Sequence, residues 1–489
     1  MDAPLLEVRN LTVSYLQGTT VLPALRNISL SLKRGEAYGI IGESGSGKST
    51  LAYAIMRHLG INGRIESGAI LFNGEDLLRT SEQQMQALRG NRIAMVYQQP
   101  QAALNPSIPL GEQVAEVFMT HAGTSRQEAH CRALEMLERV RMHDPAGTAR
   151  LYAHQASGGM QQRVVIAMAL AMHPDLIILD EPTTALDVTT QAAVLELLEE
   201  LRQEFGTTLI FIAHDLAVIT RICGRIAVFY AGEMVEEAGL RDLFRSPHHP
   251  YTAGLLECLP ARGVAHARQP LTPIPGRLPR LSNLPPGCVF QPRCRYAQAD
   301  CTRTHPDLYQ TAPGHQARCF YWREVRVGTA ATGAAAAPAQ AGAMPPAPLL
   351  DVAGVVKEFG RAPGAGLLGG GRGHNARVLN AVSLSLSDGD TIGLVGESGS
   401  GTHPYTELLL LSIPLPDPDA LRVRLALQSE IKAETADDGR GCPFKGRCHR
   451  KLGAICDTEF PPLRFVMQTG PVLVLSVAED VPAGHVCRS

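Results

Sequence analysis

The sequence predicts an α/β fold with a parallel central sheet, and three observations predict it. An apolar run, "YGIIG" at 38–42, leads into the glycine-rich loop "ESGSGKST" and then into the helical pattern "STLAYAIMRHL". Two further runs, "DLIILD" at 175–180 and "TLIFIAHD" at 208–215, are short and almost wholly apolar, as strands buried on both faces are. Helix-like segments stand before and between them, the spacing of strand–helix–strand units.

Ahead of the glycine loop, Leu6, Val8, Leu11, Val13 and Tyr15 roughly alternate, as do Ile28, Leu30 and Leu32, which suits half-buried strands. At 489 residues the chain has room for two or three domains, and 45% hydrophobic with 19% charged residues is a globular composition. Lys plus Arg total 45 against 47 Asp plus Glu, a net charge of −2, which disfavours nucleic acid as a partner. The start, Met1–Leu11, lacks the basic end and apolar core of a signal peptide. Apolar runs such as Val164–Met172 and Leu408–Leu411 fall short of the ~18 residues of a membrane span. The expectation is a soluble, cytosolic chain that meets a membrane only through a partner.

An internal repeat organises the rest. "PLLEVRNLTVSY" at 4–15 returns as "PLLDVAGVVKEF" at 348–359, and "LRNISLSLKRGEAYGIIGESGSG" returns as "LNAVSLSLSDGDTIGLVGESGSG", with offsets of 344 and 354. The difference is taken up by "GAGLLGGGRG" at 364–373. "HPYT" at 249–252 returns at 403–406 with an offset of 154, so the second copy lacks the equivalents of Ser49 to His248. Its glycine loop runs into Thr402 and His403 where the first has Lys48 and Ser49. "GTAATGAAAAPAQAGAMPPAP" at 328–348 reads as a flexible linker. The expected divisions are 1–248, 249–325, a linker 326–348, a truncated repeat 349–402, and a second tail 403–489.

In the first copy, Gly42, Glu43, Ser44, Gly45, Ser46, Gly47, Lys48, Ser49 and Thr50 make a phosphate-binding loop between strand and helix. The glycines let backbone N–H groups turn in around phosphates at the positive end of the helix. Lys48 supplies charge at the β- and γ-phosphates, and Ser49 an oxygen for Mg²⁺. Asp180 at a strand tip is placed to hold magnesium, and Glu181 to orient or deprotonate an attacking water. Ser157, Gly158 and Gly159 open another helix, a second anion site without a lysine.

Together these motifs resemble the ATP-binding cassette (ABC) ATPases, and within them the oligopeptide/dipeptide importer type, over about 1–325. The resemblance rests on the loop at 42–49, "YQQPQAALNP" at 97–106, "ASGGMQQR" at 156–163, "LIILDEPTTALD" at 176–187, "AHD" at 213–215 and the tail "HPYTAGLL…GCVFQPRC". It implies a P-loop NTPase fold with a β-subdomain, a helical subdomain and a Cys-containing tail. It further implies that Gln98 couples the nucleotide and its Mg²⁺ to the membrane partner, and that His214 holds the γ-phosphate. On the same resemblance Ser157–Gly159 would contact the γ-phosphate of a facing domain, Asp187 would signal across the dimer, and Tyr15 would stack on adenine. Standing alone, His214 reads as a structural histidine, Gln98 as polar surface and Tyr15 as a sheet aromatic. Ala156 stands where the family has Leu or Phe, a modest packing change.

The implied partners are two integral-membrane permeases, a second ABC ATPase domain and, indirectly, a solute-binding protein. The implied place is the cytoplasmic face of the bacterial inner membrane. Because the repeat lacks its own Lys48, Gln98, Ser157, Asp180 and His214 counterparts, the facing domain is expected on another polypeptide. Alternatives are a non-transport ABC ATPase of DNA repair or translation, or a regulatory subunit with impaired hydrolysis. Against the first, Thr50 to Ala156 carries neither heptads nor a basic run.

Cys288, Cys294, Cys301 and Cys319, and again Cys442, Cys448, Cys456 and Cys487, suit an iron–sulfur cluster or a structural zinc. Neither spacing contains the close pair of common zinc modules, and packed, reduced cysteines remain the alternative. The resemblance adds that some family members carry a [4Fe-4S] cluster on this tail.

Overall fold

The computed structural model describes residues 3–184, 186, 188–259, 273–327, 349–359, 376–386, 464–467 and 473–476. Expectations for Asp187, the linker 328–348, the second glycine loop with Thr402 and His403, and Cys442, Cys448, Cys456 and Cys487 lie outside the described residues. The described residues belong to two units, with the strands of 349–386 in one and the remainder in the other, and each is treated by itself.

β1 (Leu6–Gln17) and β2 (Thr20–Leu32) pair antiparallel from Leu6↔Leu32 to Gln17↔Thr20. Register shifts around Leu11 explain why the apolar alternation there is only rough, since a bulge resets which face a side chain occupies. β3 (Ala37–Ile41) enters the main sheet. β4 (Gly63–Phe72) returns to pair with β1, and β5 (Glu75–Asp76) completes a four-stranded antiparallel sheet of order β2-β1-β4-β5. The main sheet adds β6 (Ile93–Val96), β7 (Leu176–Asp180), β8 (Thr208–Ala213), β9 (Arg225–Tyr230), β10 (Glu233–Gly239), β11 (Tyr309–Ala312) and β12 (His315–Ala317). Its order is β11-β12-β10-β9-β3-β8-β7-β6.

Five of these strands, β9-β3-β8-β7-β6, run parallel, as the sequence predicts. The other three pair antiparallel, so the sheet as a whole is mixed. The reversal is made by a two-residue connection, Ala231 at φ 47° and Gly232 at φ 83°, between β9 and β10. Two left-handed residues give the turn whose twist matches paired strands. The tail then adds β11 and β12 beyond β10, so residues past His248 extend the same sheet.

The parallel strands are apolar throughout because both faces are covered. Ile177, Leu179, Leu209 and Phe211 face one core with the helices Gly158–Leu170 and Val188–Phe205. Leu176, Ile178, Ile210 and Ile212 face the other, with Leu6, Leu11 and Ile28 of the four-stranded sheet and Leu51 and Ile55 of the helix Lys48–Ile55. A helical layer of Leu110–Ala122, Arg126–Arg139 and Pro145–Arg150 packs against the first core. Among the described residues no helix is long and apolar enough to cross a membrane.

In the other unit, β13 (Leu350–Phe359) and β14 (Ala376–Leu386) pair antiparallel. The pairs Leu350↔Leu386, Val352↔Leu384 and Val355↔Val382 are the repeat equivalents of Leu6↔Leu32, Val8↔Leu30 and Leu11↔Ile28. A last hairpin joins β15 (Arg464–Met467) to β16 (Leu473–Ser476).

Candidate functional site

The glycine loop leaves β3 at Ile41 and enters the helix at Lys48. Gly42 at φ 153° and Gly47 at φ 103° are two positions where a side chain has no room. A Cβ on Gly42 would stand 2.2 Å from the Phe229 carbonyl oxygen, and one on Gly47 2.7 Å from that of Ala24. The N–H of Gly232 donates to Ser46 O at 3.0 Å, so the β9–β10 turn holds the loop from behind. Ser44 and Gly45 are exposed at its crest, and Ser46 is fully buried.

Lys48 is 5% exposed and donates from Nζ to the carbonyls of Gly42 at 2.8 Å and Glu43 at 3.0 Å. Burial lowers its pKa, against the pull of the Glu181, Asp180 and Glu43 carboxylates. Ser49 Oγ donates to Asp180 Oδ1 at 3.0 Å, joining the first turn of the helix to the tip of β7. Asp180 is 2% exposed, and its carboxyl is held above the usual range chiefly by burial, opposed by the Ser49 hydrogen bond. Thr50 follows in the first helical turn.

Glu181 begins the turn after β7 with φ 48°, a left-handed backbone that costs a non-glycine residue roughly 1–3 kcal/mol. Its N–H donates to Ile212 O at 3.0 Å, which fixes the turn on β8. Its Oε2 receives Gln98 Nε2 at 2.8 Å and Thr184 Oγ1 at 3.1 Å, and lies 3.1 Å from His214 Nδ1. Gln98 comes from the segment after β6 and His214 from the end of β8. Three strand tips therefore bring Gln98, Glu181 and His214 onto one oxygen, beside the Ser49–Asp180 pair. Thr184 was not singled out by the sequence reasoning; its only signal is its place in "DEPTTALD".

Other expected residues stand apart from this group. Ser157 caps the helix Gly158–Leu170, its Oγ accepting from Met160 N–H at 3.3 Å. A Cβ on Gly159 would meet Thr190 Cγ2 at 2.8 Å, so the helix that Gly158 and Gly159 open lies close against Val188–Phe205 at Gly159, while Gly158 faces open space. Ala156, just ahead, is 9% exposed and its carbonyl accepts from Gln161 Nε2 at 3.0 Å. Among the described residues no polar contact links Ser157, Gly158 or Gly159 to the glycine loop. Tyr15 belongs to β1, opposite Leu22 of β2 and Gly63 of β4, on the four-stranded sheet rather than on the loop itself.

In the tail, Cys288, Cys294, Cys301 and Cys319 line one cavity together with His249 and Phe290. Burial pushes the thiols of Cys288 and Cys294 up to about 11 and that of Cys319 to about 12. Tyr296 N–H donates to Cys294 Sγ at 3.3 Å, and backbone donors from Phe290 and Tyr321 serve Cys288 and Cys319. A Cβ on Gly287 would lie 2.3 Å from Cys301 O, so glycine there lets two Cys-bearing segments touch.

A second cluster, unforeseen from sequence, is Glu236, His248 and His315, whose donor atoms lie within 4.8 Å of one another. The Glu236 carboxylate takes His315 Nε2 at 2.7 Å and the N–H groups of His248 and His249 at 2.6 and 3.0 Å. The rings of His248 and His315 stack at 3.9 Å. With its oxygens so occupied, the fully buried Glu236 works as a pin between β10 and the tail.

A family model described as ABC transporter matches residues 25–184. One described as oligopeptide/dipeptide transporter, C-terminal region, matches 235–301 and again 400–456. The chain is 45% identical over 316 residues to the oligopeptide transport ATP-binding protein OppD of Salmonella typhimurium, covering 65% of this chain and 93% of that protein. The OppD of Escherichia coli gives the same identity and coverage. Another Escherichia coli protein, named as a probable D,D-dipeptide transport ATP-binding protein, DdpD, is 43% identical over 323 residues, covering 66% of this chain and 97% of that one.

Proposed function

Because the chain belongs to the ABC transporter ATPases that carry the oligopeptide/dipeptide C-terminal region, we propose that it is the ATP-hydrolysing subunit of an importer of peptides or similar small solutes. One observation carries the chemistry: Gln98, Glu181 and His214 meet at a strained turn next to the Ser49–Asp180 pair, at the mouth of a phosphate-binding loop.

In this reading the loop amides of 42–49 and the helix start cradle the phosphates of ATP, and Lys48 exchanges its loop carbonyls for phosphate oxygens. The donor set fits Mg²⁺, because Ser49 Oγ and the buried Asp180 carboxylate converge as two hard oxygen donors, with Lys48 as the neighbouring positive charge. Ser49, Asp180 and Gln98 would hold the ion, which supplies charge against the phosphates. Glu181 accepts the proton of the attacking water, and Gln98 and His214 orient its carboxylate through Oε2. Tyr15 on β1 receives the adenine face.

Ser157–Gly159 open a helix away from the loop, so their anion site serves a facing cassette, with Asp187 signalling across the pair. That cassette is a second copy of this chain or a separate ATPase. Two integral-membrane permeases dock on the pair, with a solute-binding protein delivering cargo from outside. The chain sits peripherally at the cytoplasmic face of the bacterial inner membrane.

The four tail thiols fit an iron–sulfur cluster better than bare packing. They surround one cavity, Cys288, Cys294 and Cys319 receive backbone N–H donors, and burial disfavours the thiolates of those three until a cationic centre compensates. Cys288, Cys294, Cys301 and Cys319 would hold a [4Fe-4S] group, which would supply a covalent cross-link within the tail.

Three measurements test the proposal. Hydrolysis by Glu181→Gln against wild type separates an ATPase from a regulatory subunit, since the latter loses nothing. Capture of the chain from membranes must recover integral-membrane permeases; recovery of none overturns the importer reading. Iron and acid-labile sulfide content of anaerobically purified protein decides the tail, with zinc or no metal as the contrary results.

A further inference from the structure

Glu43, the second residue of the phosphate loop, is held from the tail at two points. Its backbone N–H donates to Tyr251 Oη at 2.9 Å. Its carboxylate oxygens lie 2.9 and 3.0 Å from Nη1 of Arg293, 250 residues away. The Arg293 side chain is only 6% exposed. Its Nε donates to Pro275 O at 2.8 Å, its Nη1 reaches Tyr230 Oη at 3.4 Å, and Glu43 is the carboxylate that balances its charge. A guanidinium buried to that degree is stable only while such a partner stays in place.

The same Glu43 bears on Lys48, because its carbonyl is one of the two on which the Lys48 ammonium rests. A displacement of Glu43 therefore moves the seat of the lysine and the amides beside it. Tyr251 is fully buried and packs on Tyr230 with ring centres 4.7 Å apart, so its hydroxyl is a fixed point rather than a swinging one.

We propose that the cysteine-bearing tail is a working part of the nucleotide site, with Arg293 and Tyr251 as positioning residues that set the affinity of the phosphate loop for MgATP through Glu43. The inference rests on the ATPase reading above. Pro250 and Cys294, which line the four-thiol cavity, are the direct chain neighbours of Tyr251 and Arg293. The two struts thus start from the wall of that cavity and end on the loop.

The test is calorimetric titration of MgATP into the full chain, paired with its melting temperature. Arg293→Gln raises the dissociation constant about tenfold, the scale of one charge-assisted hydrogen bond, and Arg293→Lys recovers part of the loss. Tyr251→Phe, which keeps the ring and removes only the hydroxyl, raises it about threefold with an unchanged melting temperature. Glu43→Gln combined with Arg293→Gln binds no worse than Arg293→Gln alone, because both act through one contact. Dissociation constants within about twofold of wild type, effects that multiply, or a falling binding stoichiometry at constant affinity would each overturn the proposal. Failure of the wild-type chain to bind MgATP would instead bring down the ATPase reading beneath it.

Discussion

Gln98 Nε2 donates to Glu181 Oε2 at 2.8 Å, across 83 residues of chain and between two different strand ends. On the proposed function the bond leaves Glu181 Oε1 for the attacking water, and it ties that carboxylate to the segment after β6. Glu181→Gln is expected to cut phosphate release by roughly 10²–10⁴-fold while MgATP still binds, the range of a lost general base. Gln98→Ala keeps the base but frees it, with an expected loss of about tenfold to a hundredfold. Single-turnover phosphate release beside equilibrium binding checks both, and equal losses would deny Gln98 an orienting part.

Lys48 is a buried ammonium whose charge is disfavoured by its surroundings. Lys48→Ala is therefore expected to weaken MgATP binding by about ten- to a hundredfold, the worth of charge-assisted contacts, with no fall in melting temperature. A variant that binds ATP normally would remove the phosphate loop from the mechanism.

Gly47→Ala places a methyl 2.7 Å from the Ala24 carbonyl at φ 103°. Strain and clash together are expected to cost about 2 kcal/mol or more by urea denaturation and to abolish nucleotide binding. Gly206→Ala offers the contrast. It shares a positive φ, 64°, but a Cβ there meets nothing within 4 Å, so only the smaller backbone penalty should appear.

Ser157→Ala removes the cap of the helix Gly158–Leu170 and should cost about 1 kcal/mol of stability. If Ser157 serves a facing nucleotide, the same variant also loses ATP-dependent dimerisation in a Glu181→Gln background, while its affinity as a monomer is unchanged. Light scattering with and without ATP reads the second effect separately from the first.

The parts of this site that could be read from the sequence are those whose chemistry is written within a few residues. The loop Gly42–Ser49 announces itself because glycine is the residue that tolerates its backbone, and β7 and β8 because both their faces are covered. Gln98 and His214 carry no local signal, since what makes them part of the site is a shared oxygen of Glu181, and only resemblance pointed to them. Arg293 and Thr184 were missed for the same reason: a pairing between residues 43 and 293 leaves no periodicity in either neighbourhood. The antiparallel edge escaped because its cause is a turn of two residues, Ala231 and Gly232, between two runs whose composition does not record strand direction.

The β13–β14 hairpin repeats the pairing of β1–β2 although its apolar residues find different surroundings. Leu5 and Leu6 are 1% and 0% exposed, whereas their counterparts Leu349 and Leu350 are 75% and 48% exposed. Even the side contacts recur: Asn10 N–H to Ser29 Oγ at 2.9 Å has its echo in Gly354 N–H to Ser383 Oγ at 2.8 Å. The same strand alignment thus recurs where the apolar residues are far less covered. During synthesis, β1 and β2 can zip together once Leu32 has left the ribosome, ahead of everything they will later roof, so the nascent cassette starts from a template with short-range order.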